Sequence, residues 1–222
     1  MRTPIKLGLA ALAAAMLLTS VASAGRLSIT NQNIRATWNE LIFQGKPERP
    51  RNPGQIRCAV TMEGSFHRRT IEKTANALVG YITRAVINHP CIGGEYYFHN
   101  GTEVVLGNPP TSLPWHLRYL SFSGTLPNIT ALNVGMTGMR MTANYGLFRC
   151  LEVYGSATEE RTWIFNISGG QIISFQPTET PKHLIVREGM SMLCPEYGML
   201  AEPSDTVALL GTSTTAISVT LI

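Results

Sequence analysis

Two side chains in one predicted strand-to-helix segment could do acid, base or metal chemistry. Glu63 and His67 stand four residues apart and could approach each other, with His116 as a possible third member. A carboxylate beside two imidazoles could in principle bind zinc or transfer protons. The spacing matches neither H-E-x-x-H nor another compact ligand pattern, so we interpret these three residues as weak binding candidates and predict no metal site.

A second candidate pair lies in a strongly alternating segment. Trp115, Leu117 and Tyr119 share one face of a predicted strand, and His116 and Arg118 share the other. The pair could contact an anion or a carbohydrate. The alternative, which the residue types favour, is that the aromatic face packs in the core and the polar pair simply faces water.

The acidic residues restrict the enzyme classes that the chain could belong to. The chain contains a single Asp, Asp205, beside thirteen Glu, which excludes Asp-rich calcium loops and an aspartic-protease dyad. There is no G-x-S-x-G motif. Glycosidase chemistry needs two facing carboxylates, for which the sequence offers Glu40, Glu95, Glu103 and Glu152. We therefore predict no catalytic residue and no cofactor, and leave a hydrolase built on Glu and His as the weakest alternative.

One short helix is predicted over about residues 70–80, between strands at 57–66 and 80–87. Thr70 is a suitable N-cap and Gly80 a suitable C-terminal stop. The apolar residues between them recur at helical spacing, at Ile71, Ala75, Leu78 and Val79.

The four cysteines predict two disulfide bonds. Antiparallel strands leaving the helix would bring their far ends together, which pairs Cys58 with Cys91 and leaves Cys150 with Cys194. Four cysteines allow three connectivities, so this pairing depends on the predicted strand arrangement. Each bond would contribute up to roughly 4 kcal/mol in the chain-entropy account.

Most of the remaining chain has a period of two and is rich in Val, Ile, Thr and aromatic residues. Gly, Pro, Asn and Ser bound these segments. About a dozen such strands predict an antiparallel sandwich or barrel. We expect one all-β domain over residues 25–222, with the short helix as its exception.

The N-terminus predicts export. Arg2 and Lys6 precede an apolar run over residues 7–18, which ends in Ala22-Ser23-Ala24. This pattern is typical of a signal peptide, here residues 1–24, cleaved after Ala24. The run is shorter than the roughly 20 residues of a spanning helix, so we expect a secreted or extracellular protein without a transmembrane anchor.

Charge gives no sign of a nucleic-acid partner. The formal net charge is +4, and removal of the signal peptide with its two cations lowers it to +2. The remaining basic residues form no stripe interleaved with stacking aromatics. We predict no nucleic-acid binding.

Six segments of the chain carry a resemblance to known sequences. They are Cys58-Ala-Val-Thr-Met-Glu-Gly-Ser-Phe-His67, Thr70-Ile-Glu-Lys73, Gly80-Tyr-Ile-Thr-Arg84, Leu113-Pro-Trp-His116, Ser123-Gly-Thr-Leu-Pro-Asn-Ile129 and Leu210-Gly-Thr-Ser-Thr-Thr-Ala-Ile-Ser-Val-Thr-Leu-Ile222. Together they resemble an uncharacterised family of small secreted bacterial β-rich proteins with no assigned activity. The resemblance implies secretion and a β-rich fold, and it transfers no site residue.

The leading hypothesis is a non-enzymatic domain that binds an unidentified extracellular or cell-surface partner. A β-barrel for a small apolar ligand is the first alternative, and it would need a lined cavity. The Glu and His hydrolase is the second, and it would need those groups to converge in a cleft.

Overall fold

The computed structural model of the protein is all-β and has no helix among the residues that it describes. Those residues are 26–46, 55–98, 113–125, 128–144, 149–154, 160–178, 182–183, 197–201 and 219–221. The strands are β1 (Arg26–Ile29), β2 (Asn33–Lys46), β3 (Gln55–Phe66), β4 (Thr70–Glu72), β5 (Leu78–Ile92), β6 (Glu95–Phe98), β7 (Trp115–Thr125), β8 (Asn128–Thr137), β9 (Met139–Asn144), β10 (Arg149–Tyr154), β11 (Arg161–Ser168), β12 (Gln171–Pro177), β13 (Lys182–His183), β14 (Tyr197–Ala201) and β15 (Val219–Leu221). No helix in the described ranges is long and apolar enough to cross a membrane.

One large antiparallel sheet dominates the architecture. Its strand order is β12-β11-β8-β7-β5-β3-β2-β14-β13, and the seven strands from β12 to β2 curl into a nearly closed, barrel-like sheet. Two three-stranded sheets accompany it, in the orders β15-β1-β4 and β10-β9-β6. The predicted fold class, an all-β antiparallel barrel or sandwich, is confirmed in its barrel form.

The strands of the large sheet follow the period-two rule, with apolar residues facing the barrel interior. In β3, Ile56, Cys58, Val60 and Met62 are buried and alternate with residues that remain at least partly accessible. Phe66, at the end of the strand, is also buried. The predicted inward face of this strand is therefore confirmed.

Aromatic rings fill the interior where early and late strands meet. The ring of Trp38 on β2 lies 5.7 Å from that of Trp163 on β11 and 6.1 Å from that of Phe175 on β12. Phe165 stacks on Phe175 at 4.2 Å, and Phe66 on β3 approaches Phe165 at 5.4 Å. Such ring pairs each add about 0.5–1.5 kcal/mol beyond the burial of their area. They join the two ends of the seven-stranded run across the barrel.

The smaller sheets extend this core. Tyr96 of β6 stacks on Phe43 of β2 at 4.2 Å, and Phe98 meets Trp115 of β7 at 5.2 Å. The β10-β9-β6 sheet therefore packs against the barrel through its β6 side chains. In the other small sheet, Leu27 of β1 and its neighbours are part of the same buried cluster.

The helix predicted over residues 70–80 is wrong. Ile71 is buried in β4, where it pairs with Leu27 of β1. The next residues form a turn, in which Asn76 has a φ of 64°. The backbone N–H of Asn76 donates to the Tyr119 carbonyl, and the N–H of Tyr119 donates to the Ala77 carbonyl. Backbone groups in this segment thus form hydrogen bonds with β1 and β7, which are distant in sequence, instead of the local hydrogen bonds of a helix.

The predicted disulfide between Cys58 and Cys91 is confirmed, and it joins β3 to β5 across 33 residues of sequence. The Cα atoms of the pair are 4.5 Å apart. None of the cysteines in the described residues is a free thiol. Cys150 is fully buried, whereas Cys194 lies outside the described residues, so their pairing stays a prediction.

The Cys58 to Cys91 bond should stabilise the fold independently of other cysteines. Replacing both residues with Ala should lower the free energy of unfolding by about 2–4 kcal/mol, because the crosslink restricts the unfolded chain. Urea unfolding of oxidised wild type and the double variant measures the difference. Equal unfolding midpoints with equal m-values would contradict this role.

The ring cluster should be the most sensitive part of the barrel interior. Phe175→Ala should cost about 3–5 kcal/mol, since it removes a buried ring that three other rings contact. Ile173→Ala is the matched control on the same strand, because the Ile173 side chain is 51% exposed. Urea unfolding compares the two variants, and similar losses from both would contradict the proposed closure by aromatic packing.

Candidate functional site

Three rings form a row on the outer face of the barrel. The ring centroids of His67 and Tyr81 are 4.3 Å apart, and those of Tyr81 and His116 are 5.1 Å apart. Both contacts are edge-to-face. His67 is exposed, and the other two residues are half-buried. We call these three residues the ring row.

Strand alternation explains why the ring row faces outward. Tyr81 precedes inward-facing Ile82 on β5, and it pairs with Ser65 of β3 and His116 of β7. On β7, Trp115, Leu117 and Tyr119 are buried as the sequence predicts, whereas His116 and Arg118 are partly accessible. The strand pairing thus brings His67 and His116 to opposite sides of one tyrosine.

Two glycines allow β3 and β5 to approach closely beneath Tyr81. A Cβ added to Gly64 would collide with the Tyr81 carbonyl oxygen, and one added to Gly80 would lie 2.6 Å from the Ser65 carbonyl oxygen. The strand register also shifts between Glu63 and Gly64. Larger residues at either glycine would push apart the strands that position the ring row.

A shared carboxylate lies on the same face as the ring row. Glu63 pairs in register with Arg35 of β2 and Arg84 of β5. Its carboxylate lies 3.4 Å from Nε of Arg35 and 3.0 Å from Nη1 of Arg84. Both arginine side chains are more than half exposed. The single negative charge of Glu63 therefore lies between the positive charges of two arginines.

A second carboxylate lies close to Arg118, farther along the sheet. Nη1 of Arg118 donates to the Asn76 carbonyl at 3.1 Å. The Glu160 side chain lies over Gly135, where a Cβ would meet the Glu160 carboxyl group. Burial raises the pKa of Glu160 above its ordinary 4.5, and the positive charge of Arg118 partly offsets that rise.

The structure does not assemble the cluster of Glu63, His67 and His116 in the form suggested for zinc or proton transfer. The carboxylate of Glu63 is engaged by two guanidinium groups, and the Tyr81 ring separates the two imidazoles. Within the described ranges, no three His, Cys, Asp or Glu side chains are grouped so that they could hold a metal ion.

The glutamates suggested for glycosidase chemistry are placed as follows. Glu40 forms an ion pair with Arg57 at 2.9 Å, and Glu95 accepts a hydrogen bond from the Tyr97 hydroxyl. Glu103 and the side chain of Glu152 lie outside the described residues. The two described carboxylates are thus occupied by neighbouring donors.

The sequence alone does not identify Tyr81, Arg84, Arg35 or Glu160 as members of this surface. Their proximity depends on which strands pair and in which register, and no local motif encodes that. The predicted pairing of the 57–66 and 80–87 segments is the one signal that could have placed Tyr81 beside His67.

No protein-family model, curated protein or solved structure matches the chain. The resemblance to an uncharacterised family of secreted bacterial β-rich proteins therefore stays a prediction. The function has to be inferred from the geometry of the outer face.

The close approach of β3 and β5 gives a stability prediction. Gly64→Ala should lower the free energy of unfolding by roughly 2 kcal/mol or more, because the new methyl group meets backbone atoms that cannot rotate away. Gly169→Asn is the control. It lies at the β11 to β12 turn with a φ of 57° and nothing near its added Cβ, and Asn tolerates that φ. A Gly64→Ala variant as stable as Gly169→Asn would contradict the close approach.

The environment of Glu160 gives a pH prediction. Because its pKa is raised in the folded state, its contribution to stability is fully present at pH values below 4.5 and is lost as the pH rises through the folded pKa. Glu160→Gln should therefore gain stability relative to wild type as the pH rises above 4.5. Urea unfolding at several pH values measures this difference.

A carboxyl NMR titration is the direct check on that interpretation. Arg118→Gln should raise the pKa of Glu160 further, since it removes the offsetting positive charge. A wild-type midpoint at or below 4.5 would contradict the assigned environment.

Proposed function

We propose that the mature chain is a non-enzymatic secreted or cell-surface β-domain that binds a partner through the outer face of β3, β5 and β7. The observation that carries the proposal is the ring row of His67, Tyr81 and His116 on an accessible sheet surface. Aromatic and arginine side chains are enriched at protein recognition surfaces. This surface holds both kinds of residue.

The state of nearby carboxylates supports binding over catalysis. A general base needs a carboxylate that can reach a proton of the substrate. Glu63 is held by two arginines, and Glu40 by Arg57. These groups are arranged as parts of charge networks on the surface, which suits recognition.

The filled interior also supports binding on the outside. Trp38, Trp163, Phe165 and Phe175 are fully buried and in mutual ring contact within the barrel. Their side chains occupy the space in which a lipocalin-type barrel would hold its ligand.

The barrel for a small apolar ligand remains a second candidate because of one observation. The indole Nε1 atoms of Trp38 and Trp163 are buried, and neither has a hydrogen-bond acceptor in the part of the chain that the structure describes. Buried donors usually find a partner, and a ligand carbonyl or hydroxyl inside the barrel would supply one. Contact of each indole edge with a neighbouring ring is the simpler account.

The proposal predicts loss of cell-surface binding when the ring row is removed. The combined change of His67, Tyr81 and His116 to Ala should lower binding of the labelled mature protein to cells of its host by at least about tenfold. Flow cytometry over a concentration series measures the binding. The control is Asn166→Ala with Ser174→Ala, which removes a hydrogen-bonded pair on β11 and β12.

Equal binding by the ring-row variant and wild type, with both folded by circular dichroism, would contradict the proposal. Native mass spectrometry of the protein from its host's culture fluid tests the second candidate. A stoichiometric small-molecule adduct in the mass spectrum would favour the apolar-ligand barrel if removal of that molecule also changes the tryptophan fluorescence of the protein.

A further inference from the structure

We infer that the partner at this outer face is an acidic polysaccharide. Its carboxylates would pair with Arg35 and Arg84, and its sugar rings would lie along the ring row of His67, Tyr81 and His116. This inference rests on the proposed function and names the chemical class of the partner.

Charge on this face favours an anionic partner. The single carboxylate of Glu63 lies between Arg35 and Arg84, which leaves a net positive charge at that position. Arg68 and Arg69 follow His67 directly in the turn after β3, and both are exposed. By contrast, Arg57 at the other end of β3 is matched one-to-one by Glu40. The excess positive charge is therefore local to the end of the sheet that carries the ring row.

The arginine geometry favours a carboxylate in particular. A guanidinium group has five N–H donors, and Arg35 uses Nε toward Glu63 while Arg84 uses Nη1. The remaining donors belong to side chains that are 53% and 58% exposed. An incoming carboxylate can take two parallel hydrogen bonds from either group without displacing Glu63. The face already holds one carboxylate of its own, that of Glu63, through a single nitrogen of each arginine.

The ring row favours a sugar polymer as the carrier of those carboxylates. Tyrosine and histidine rings present an apolar face for the C–H groups of a sugar and a polar tip for its hydroxyls. His67 in the turn after β3, Tyr81 on β5 and His116 on β7 are successive ring neighbours, so they offer a contact that extends across three adjacent parts of the sheet surface. Arg35, Glu63 and Arg84 form a second row across β2, β3 and β5, close to Tyr81 along the strands, so one polymer on this face can contact both rows.

An anionic membrane surface is the less favoured partner of this face. Membrane binding by a β-rich surface would need clustered apolar side chains next to the cations. The large exposed apolar residues within the described ranges are Leu78, Ile92 and Ile173, which are spread over β5 and β12. They form no common patch beside Arg35 and Arg84.

The test uses isothermal titration calorimetry of the mature protein with polygalacturonate, and with dextran as the uncharged control. We expect binding to polygalacturonate that weakens as salt rises, and no binding to dextran. Vesicles that contain anionic phospholipid are the third probe, and we expect no binding to them.

Four variants separate recognition from general charge. Arg84→Gln and Tyr81→Ala should each weaken polygalacturonate binding about tenfold, because each removes a central contact. Glu63→Gln should strengthen it several-fold, since the internal competitor for both arginines becomes neutral. Arg57→Gln is the matched control. It also removes one positive charge, but from the Arg57 and Glu40 ion pair at the other end of β3, and it should leave binding unchanged.

Three results would overturn the inference: no polygalacturonate binding by wild type, equal weakening by Arg84→Gln and Arg57→Gln, or weakening by Glu63→Gln in a folded protein. Binding to the anionic vesicles alone would also overturn it and assign a lipid surface instead. If the ring-row variant still loses binding to host cells while polygalacturonate fails to bind, the proposed function survives and only the polysaccharide is excluded.

Discussion

Trp38 on β2 contacts Trp163 on β11 and Phe175 on β12, and the rest of the structure depends on these ring contacts. The seven-stranded run ends at β12 on one side and at β2 on the other, where β14 pairs with residues 42–46 of β2. Without closure the run would expose backbone groups and one apolar face to water. Burial of large rings from both ends of the seven-stranded run brings β2 toward β11 and β12. The barrel is thus held nearly closed by packing in its interior, with the Cys58 to Cys91 bond adding a covalent link between β3 and β5.

The outer face follows from this closure. Once alternate side chains on β3, β5 and β7 point inward, the residues between them must share the outer surface. Strand register then decides which outer residues meet, and it places Tyr81 between two histidines and Glu63 between two arginines. The glycine contacts under Tyr81 show that the backbone is fitted closely at this position.

Local sequence patterns were enough to predict the all-β fold class, the inward face of β3, the two faces of β7 and the disulfide between Cys58 and Cys91. These features depend on alternation and on one strand pairing, which the sequence displays directly. The predicted helix was wrong because Ile71 has a partner in β1, more than 40 positions earlier in the chain, and helical spacing carries no information about that partner. Of the residues described on the outer face of β3, β5 and β7, the sequence patterns identify only His67, His116, Glu63 and Arg118 as candidates. The other residues of this face come from strands whose register no single segment specifies.

The interior is packed with aromatic rings, and we propose that binding takes place on the outer face. The most direct measurement is a two-dimensional NMR titration of the mature protein with polygalacturonate, following ring and indole signals together. We expect shifts for His67, Tyr81 and His116, while the indole N–H signals of Trp38 and Trp163 stay unchanged. Shifts of the two indoles with an unperturbed outer face would contradict the proposal and place the binding site inside the barrel.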